Sequence, residues 1–335
     1  MDLFNVMKTV CTTHGPSGYE NTVREKITEI ARPYADDISI DVMGNLIIHK
    51  AGPGPKVILS AHMDSIGLIV SHIEKNGFLR VSNLGSVNPQ KAIYSPVRFL
   101  NGVCGVFVPE ENVEIENLKI SDCYIDIGAK DEESAKQYVH VGDTAVYNTP
   151  ATCCGDCMFS PYIDNRASCA ALLMVLQEIE SSPNDLYFVF TSQEELGGRG
   201  IHTAAWTIDA DYAVVMDTTL VDDTPGSKKI GTAGVGRGAA LKIMDSSLIC
   251  SPKMVELLKK LAENNNIPYH YEILRAGGTD ASAIISTRSG VMTGAISLPC
   301  RYLHTPAEMC SLTDTRACID LFKAFANADL KPLKD

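Results

Sequence analysis

The sequence predicts an α/β domain interrupted by an all-β insert, and three observations carry that reading. Apolar runs of strand length at 57–61, 186–190 and 212–216 alternate with helical stretches, the pattern of strands buried on both faces of a sheet. From about Ser65 to Thr152 helical periodicity nearly disappears, and short β-rich runs alternate with glycine, proline and asparagine. Each of the three apolar runs also leads into ionisable residues: His62 and Asp64, Glu194 and Glu195, and Asp217. In an open α/β sheet, the crevice beyond the strand carboxyl ends is where ligands bind.

Ser17-Gly18-Tyr19-Glu20 fits a capping box, with a helix following over 21–31 and stopping before Pro33. Short strands at 38–41 and 45–49 flank a Met43-Gly44 turn. The strand at 57–61 runs into His62-Met63-Asp64. Residues two apart on an extended chain face the same side, so His62 and Asp64 look at the same space. In the β-rich stretch, strands are predicted at 67–73, 78–82, 92–99, 103–107 and 144–147, with helical periodicity at 131–137. The expected division is a domain of residues 1–66 and 153–335 holding an insert of residues 67–152.

The α/β pattern then resumes. Asp164-Asn165-Arg166 leads into a helix at 167–179. Strands at 186–190, 212–216, 239–244, 269–274 and 291–297 follow, with an amphipathic helix at 253–264. The strand at 269–274 leads to Gly277-Gly278-Thr279-Asp280 and a short helix. The strand at 291–297 leads to Arg301-Tyr302-Leu303-His304, and a helix at 313–328 closes the chain.

The chain of 335 residues is long enough for one large domain or two smaller ones. Its content, 45% hydrophobic and 21% charged, is that of a soluble globular protein. No apolar run approaches the roughly 20 residues that span a bilayer, and the start lacks the signature of a signal peptide. A cytoplasmic protein is the expectation. A net charge of −12 argues against nucleic acid or an anionic membrane as partner. Eleven cysteines without a secretory signal read as reduced thiols. Cys153, Cys154 and Cys157 cluster, but no second pair follows that would complete a structural zinc site.

Metal-ligand side chains gather at strand ends and helix starts: His62, Asp64, Asp164, Glu194, Glu195, Asp217 and His304. Two histidines with several carboxylates suit first-row divalent ions, zinc above all, with cobalt or manganese possible. Five ligands exceed what one catalytic zinc takes and fit two ions about 3.5–4 Å apart sharing a carboxylate. An ion would also separate the roles of two adjacent glutamates. The plain alternative for that pair is a helix N-terminus, where acidic side chains suit the macrodipole. The other six histidines read as surface or loop residues. Gly234-Val235-Gly236-Arg237-Gly238 precedes a strand instead of following one, so it fails the test for a dinucleotide loop. Gly277-Gly278-Thr279-Asp280 fits a turn with a helix cap as well as it fits a site lining.

Six motifs now stand in order: Ala61-His62-Met63-Asp64, Ile163-Asp164-Asn165-Arg166, Gln193-Glu194-Glu195-Leu196-Gly197, Val215-Met216-Asp217, Gly277-Gly278-Thr279-Asp280-Ala281, and the run from Arg301 through His304 to Glu308. Together they resemble the tetrahedral (TET) aminopeptidases, metallopeptidase family forty-two, which also holds proteins described as glutamyl aminopeptidases or endoglucanases. The resemblance spans nearly the whole chain. It implies that Asp164 bridges two divalent ions, that His62 and Asp217 complete one, and that Glu195 and His304 complete the other. It makes Glu194 the general base, and Asp64 the group that orients the His62 imidazole. It implies a mixed sheet flanked by helices with an inserted, barrel-like dimerisation domain, and dimers assembling into a tetrahedral dodecamer with the sites inside. Related dinuclear peptidases hold such a bridging aspartate by a cis bond to the next residue, so Asp164–Asn165 is expected to be cis. Ser65 and Asn165 depart from the resemblance, standing where many members carry a glutamate and a second aspartate. Neither is an expected ligand, though Ser65 leaves substrate preference open.

The function expected is removal of N-terminal residues from peptides by metal-activated water. A deacylase or amidase acting on small N-acyl compounds would use the same metal pair. A glycoside hydrolase would need two carboxylates across a gap of about 5–9.5 Å and no histidines. A non-catalytic assembly protein would not need an intact ligand set.

Overall fold

A computed structural model describes residues 2–334. The chain opens with α1 (Leu3–Cys11), capped by Asp2, whose carboxylate accepts from the Asn5 amide. Val6, Met7, Val10 and Cys11 form its buried stripe at helical spacing, an element absent from the sequence expectations. Helix α2 (Asn21–Ala31) follows. Its expected capping box does not form. The Ser17 hydroxyl donates to Asp64 Oδ2 at 2.5 Å, and Glu20 accepts from the amides of Gly18 and Gln193. The buried carboxylate of Asp64 is the stronger acceptor, and it draws the hydroxyl away from the helix end.

Strands β1 (Asp37–Ile40) and β2 (Leu46–Lys50) make an antiparallel hairpin, and β3 (Lys56–His62) lies inside the sheet. The chain then leaves the sheet. β4 (Gly67–Ile73), β5 (Leu79–Leu84), α3 (Pro89–Ala92), β6 (Ser95–Phe99), β7 (Cys104–Pro109), β8 (Cys123–Asp126), α4 (Glu132–Lys136) and β9 (Thr144–Tyr147) follow. The six strands close into a barrel in the order β4-β5-β8-β7-β6-β9. Its interior is apolar, with Leu79, Phe107, Cys123 and Ile125 fully buried. Strand β8, only four residues long, is too short to show a period in the sequence.

The main sheet resumes with the hairpin of β10 (Thr152–Cys154) and β11 (Cys157–Ser160), then α5 (Ile163–Glu178), β12 (Asp185–Thr191), α6 (Arg199–Ile208), β13 (Tyr212–Leu220) and β14 (Ala239–Met244). Helix α7 (Pro252–Asn264), β15 (Tyr269–Ile273), α8 (Ala281–Ile284), β16 (Met292–Arg301), β17 (Glu308–Ser311) and α9 (Leu312–Ala326) complete it. The sheet runs β1-β2-β12-β3-β13-β16-β17-β11-β10, with β14 paired to β16 and β15 to β14. Its centre, β12-β3-β13-β16, is parallel; its flanks are antiparallel. Helices cover both faces. In β3, Val57, Leu59 and Ala61 point to the core under α1, α2, α5 and α9, while Ile58 points to the core under α6 and α8. That two-sided burial is why β3 reads as a continuous apolar run. Helix α5 is buried from Ile163 to Leu176, so it has no polar face. No helix among the described residues is long and apolar enough to cross a membrane.

Candidate metal centre

The parallel register sets the site. Thr191 of β12 is the pair partner of His62 at the end of β3, and Ser60 pairs with Val215 of β13. Two residues beyond that second pair, along each strand, stand His62 and Asp217. The parallel strands therefore deliver His62, the Glu194–Glu195 turn and Asp217 to one edge. Asp164 arrives from the start of α5, where it and Asn165 are not helical and the bond between them is cis, as expected. His304 arrives from the β16–β17 connection.

Asp164 lies between the two histidines. Its Oδ1 is 3.2 Å from His62 Nε2 and its Oδ2 is 3.2 Å from His304 Nε2. His62 Nε2 is also 3.7 Å from Asp217 Oδ1 and 3.8 Å from Glu194 Oε2. Glu195 Oε1 pairs with His304 Nε2 at 3.3 Å, a buried oxygen that this ion pair leaves without a hydrogen bond. Ligand atoms of His62, Asp164 and Glu195 all lie within 4.8 Å of one another. Among the described residues this is the sole group of three or more metal-ligating side chains so placed; Cys153, Cys154 and Cys157 form none.

The electrostatics of this cluster are those of a site short of positive charge. Burial opposes charge on His62, yet Glu194, Asp217 and its hydrogen bonds to Asp164 and Asp64 hold the ring well above its ordinary value. His304 is pushed up to about 11: burial opposes this, but the Asp164 and Glu195 carboxylates outweigh it. Burial likewise works against the Asp164 carboxylate, and the two histidines overcome it and hold that carboxyl below its usual range. Burial drives Glu194 well up, helped by Asp217 and Asp280, and raises Asp217 and Glu195 as well. Carboxylates crowded in a buried site need a compensating cation, and divalent ions supply it.

The backbone around these groups is held in unusual conformations. Tyr162, Gln193 and His304 have φ of 60°, 52° and 60°, in the left-handed region that residues with side chains seldom enter. Such positions persist where their surroundings fix them. Asp64 fixes one, accepting from the amides of Glu194 at 2.9 Å and Glu195 at 3.2 Å. Its Oδ1 also stands 3.4 Å from His62 Nδ1. Glu308, which carries no role in the sequence analysis, fixes another. Its fully buried carboxylate takes the Asp164 amide on Oε2 at 2.8 Å and the His304 amide on Oε1 at 2.7 Å. Only the signal of an acidic residue four places after His304 could have pointed to it. Ser65, in contrast, faces Gly15 and Arg166 and does not line the pocket.

The centre opens on a cavity of about 530 Å³. The barrel supplies part of its wall through Ser86, Asn88 and Lys91. Gly85 carries φ of +71°, and a Cβ there would lie 2.9 Å from Ile66 Cγ2 and 3.0 Å from Glu195 Cβ. Any side chain at Gly85 would therefore press on the Glu195 carboxylate.

The chain resembles known proteins over nearly its whole length. The family model described as M42 glutamyl aminopeptidase matches residues 44–321. A protein of Acetivibrio thermocellus is 42% identical over 96% of this chain and 97% of its own length. The lysyl aminopeptidase of Pyrococcus furiosus is 32% identical over 98% of both chains. The TET1 peptidase of Pyrococcus horikoshii, which can assemble into a tetrahedron or a large octahedral shell, superposes with a TM-score of 0.88 at 28% identity, over 97% of this chain and 99% of that one.

Proposed function

The chain belongs to the M42 glutamyl aminopeptidase family, and from that premise we propose that its pocket is the active site of a metal-dependent aminopeptidase using two divalent ions. The observation that carries the reading is Asp164, whose two oxygens each face a different histidine at 3.2 Å. The donor set fits the ions: two imidazoles, three carboxylates and, on Glu195, a buried oxygen with no hydrogen bond. We assign His62, Asp164 and Asp217 to one ion and Asp164, Glu195 and His304 to the other. Zinc suits these donors best, with cobalt and manganese the other candidates.

When bound, the ions polarise the scissile carbonyl and make water nucleophilic near neutral pH. Glu194 removes the proton from the attacking water and returns it to the leaving amine. Burial raises the Glu194 carboxyl above its ordinary value. Asp64 holds the backbone of the Glu194–Glu195 turn and faces the far nitrogen of His62, which keeps base and ligand in register.

Residues 67–152 we assign to subunit contacts within a tetrahedral dodecamer of dimers. Exposed Tyr94, Leu100, Tyr138 and Val141 on that insert support this. A closed shell would limit substrates to unfolded peptides. Eleven cysteines without a disulfide accord with the cytoplasm as its compartment. Aminoacyl-p-nitroanilides, an N-acetylated amino acid and a cellulose-type polymer, each assayed with and without chelator, test the reading. Chelator-sensitive hydrolysis of the anilides is expected. Activity on the polymer that survives chelator would refute it.

A further inference from the structure

The wall of the same cavity, away from the metal ligands, holds a second buried charge cluster. Lys242 on β14 and Glu272 on β15 are register partners, and Lys242 Nζ donates to Glu272 Oε1 at 2.5 Å. The Thr219 hydroxyl donates to that oxygen too, at 2.7 Å. Asp245 Oδ2 lies 3.5 Å from Lys242 Nζ, while its Oδ1 accepts from the amide and hydroxyl of Ser247. Lys242 and Asp245 line the cavity, and the side chains of all three charged residues are 1% exposed or less.

Two carboxylates here face one ammonium. Asp245 Oδ2 and Glu272 Oε2 are buried oxygens without a hydrogen-bond partner. An ionised oxygen buried in that way is costly, so the cluster lacks a donor. Beside it, Leu220 and Leu274 give the cavity an apolar stretch. We infer that this wall is the subsite for the side chain of the substrate's N-terminal residue, and that it selects a cationic one. The inference rests on the aminopeptidase reading above. The methylene stem of a lysine or arginine lies along the leucines, and its charged head supplies Asp245 with the missing donor. An acidic side chain meets the Asp245 carboxylate beside a lysine already engaged by Glu272. Lys91, the other ammonium lining the cavity, sits exposed on the barrel side, where solvent weakens its pull.

The test compares kcat/KM for lysyl, arginyl, leucyl and glutamyl p-nitroanilides on the metal-loaded enzyme. Lysyl and arginyl substrates are expected to lead leucyl by about tenfold or more, with glutamyl last. Asp245→Asn should cut the lysyl-to-leucyl ratio about tenfold, through KM for the lysyl substrate. A second readout needs no variant: free L-lysine should inhibit the wild-type enzyme more tightly than L-norleucine, which lacks only the ammonium. A glutamyl preference, or norleucine binding as well as lysine, overturns the subsite while leaving the aminopeptidase standing. Failure to cleave any aminoacyl substrate overturns both.

Discussion

The barrel and the edge of the main sheet solve opposite problems. The barrel encloses Leu79, Phe107 and Ile125 and buries little but carbon. The sheet edge buries His62, Asp64, Asp164, Asp217, Asp280 and Glu308 within a few ångströms of the pocket. Apolar burial stabilises the first directly. The second spends stability on unpaired charge and recovers it through hydrogen bonds and bound cations. The contrast teaches that this protein separates its folding energy from its chemistry, so substitutions in the two regions should fail in different ways.

The sharpest break between them should come at Glu194. Glu194→Gln keeps the shape and removes the base. Turnover should fall by on the order of 10²–10⁴ while both ions still bind. Near-full activity in that variant would remove Glu194 from the mechanism. In the barrel the reverse is expected. Phe107→Ala should lower unfolding free energy by about 3–5 kcal/mol in a denaturant titration, with turnover per folded molecule nearly unchanged. A comparable loss of turnover would mean that the barrel core reaches the chemistry.

Glu308→Gln lies between these extremes. One amide hydrogen bond, to Asp164 or His304, loses its acceptor, so metal affinity should drop about 10–100-fold in a chelator competition. Unaltered affinity would show that the ligands do not need Glu308. The smallest effect belongs to a plain structural ion pair far from both regions. Arg316 binds Glu178 through two hydrogen bonds of 2.6 and 2.9 Å, with Lys323 assisting, and holds the carboxyl down to about 2. Because the folded value is the lower one, this stabilisation is complete above the ordinary glutamate value. It is lost as pH falls toward about 2. The stability gap between wild type and Glu178→Gln should be about 1–2 kcal/mol at pH 6 and shrink by pH 3. A gap that does not vary with pH would discard the pairing as its source.

Much of this was legible in the sequence, for physical reasons that vary by element. Strands β3, β12 and β13 announce themselves because both of their faces are buried, and His62, Glu194 and Asp217 follow at or just beyond those apolar runs. Helix α6 has no counterpart in the sequence analysis; Gly197 and Gly198 ahead of it adopt positive φ, and the helix starts directly after them. Strand β17 is four residues long, too short to show a period. Ser17 fits a helix cap locally, but a tertiary acceptor outcompetes it. Glu308 and Lys242 look like ordinary charged residues until the fold brings an amide or a carboxylate to each.

The proposed mechanism turns on Asp164 dividing its two oxygens between two ions. Anomalous diffraction at the zinc edge, from crystals of the zinc-loaded protein, tests it most directly. Two peaks are expected about 3.5–4 Å apart, one on the His62 side of Asp164 and one on the His304 side. A single peak at full occupancy, or a second one not touching Asp164, would contradict it.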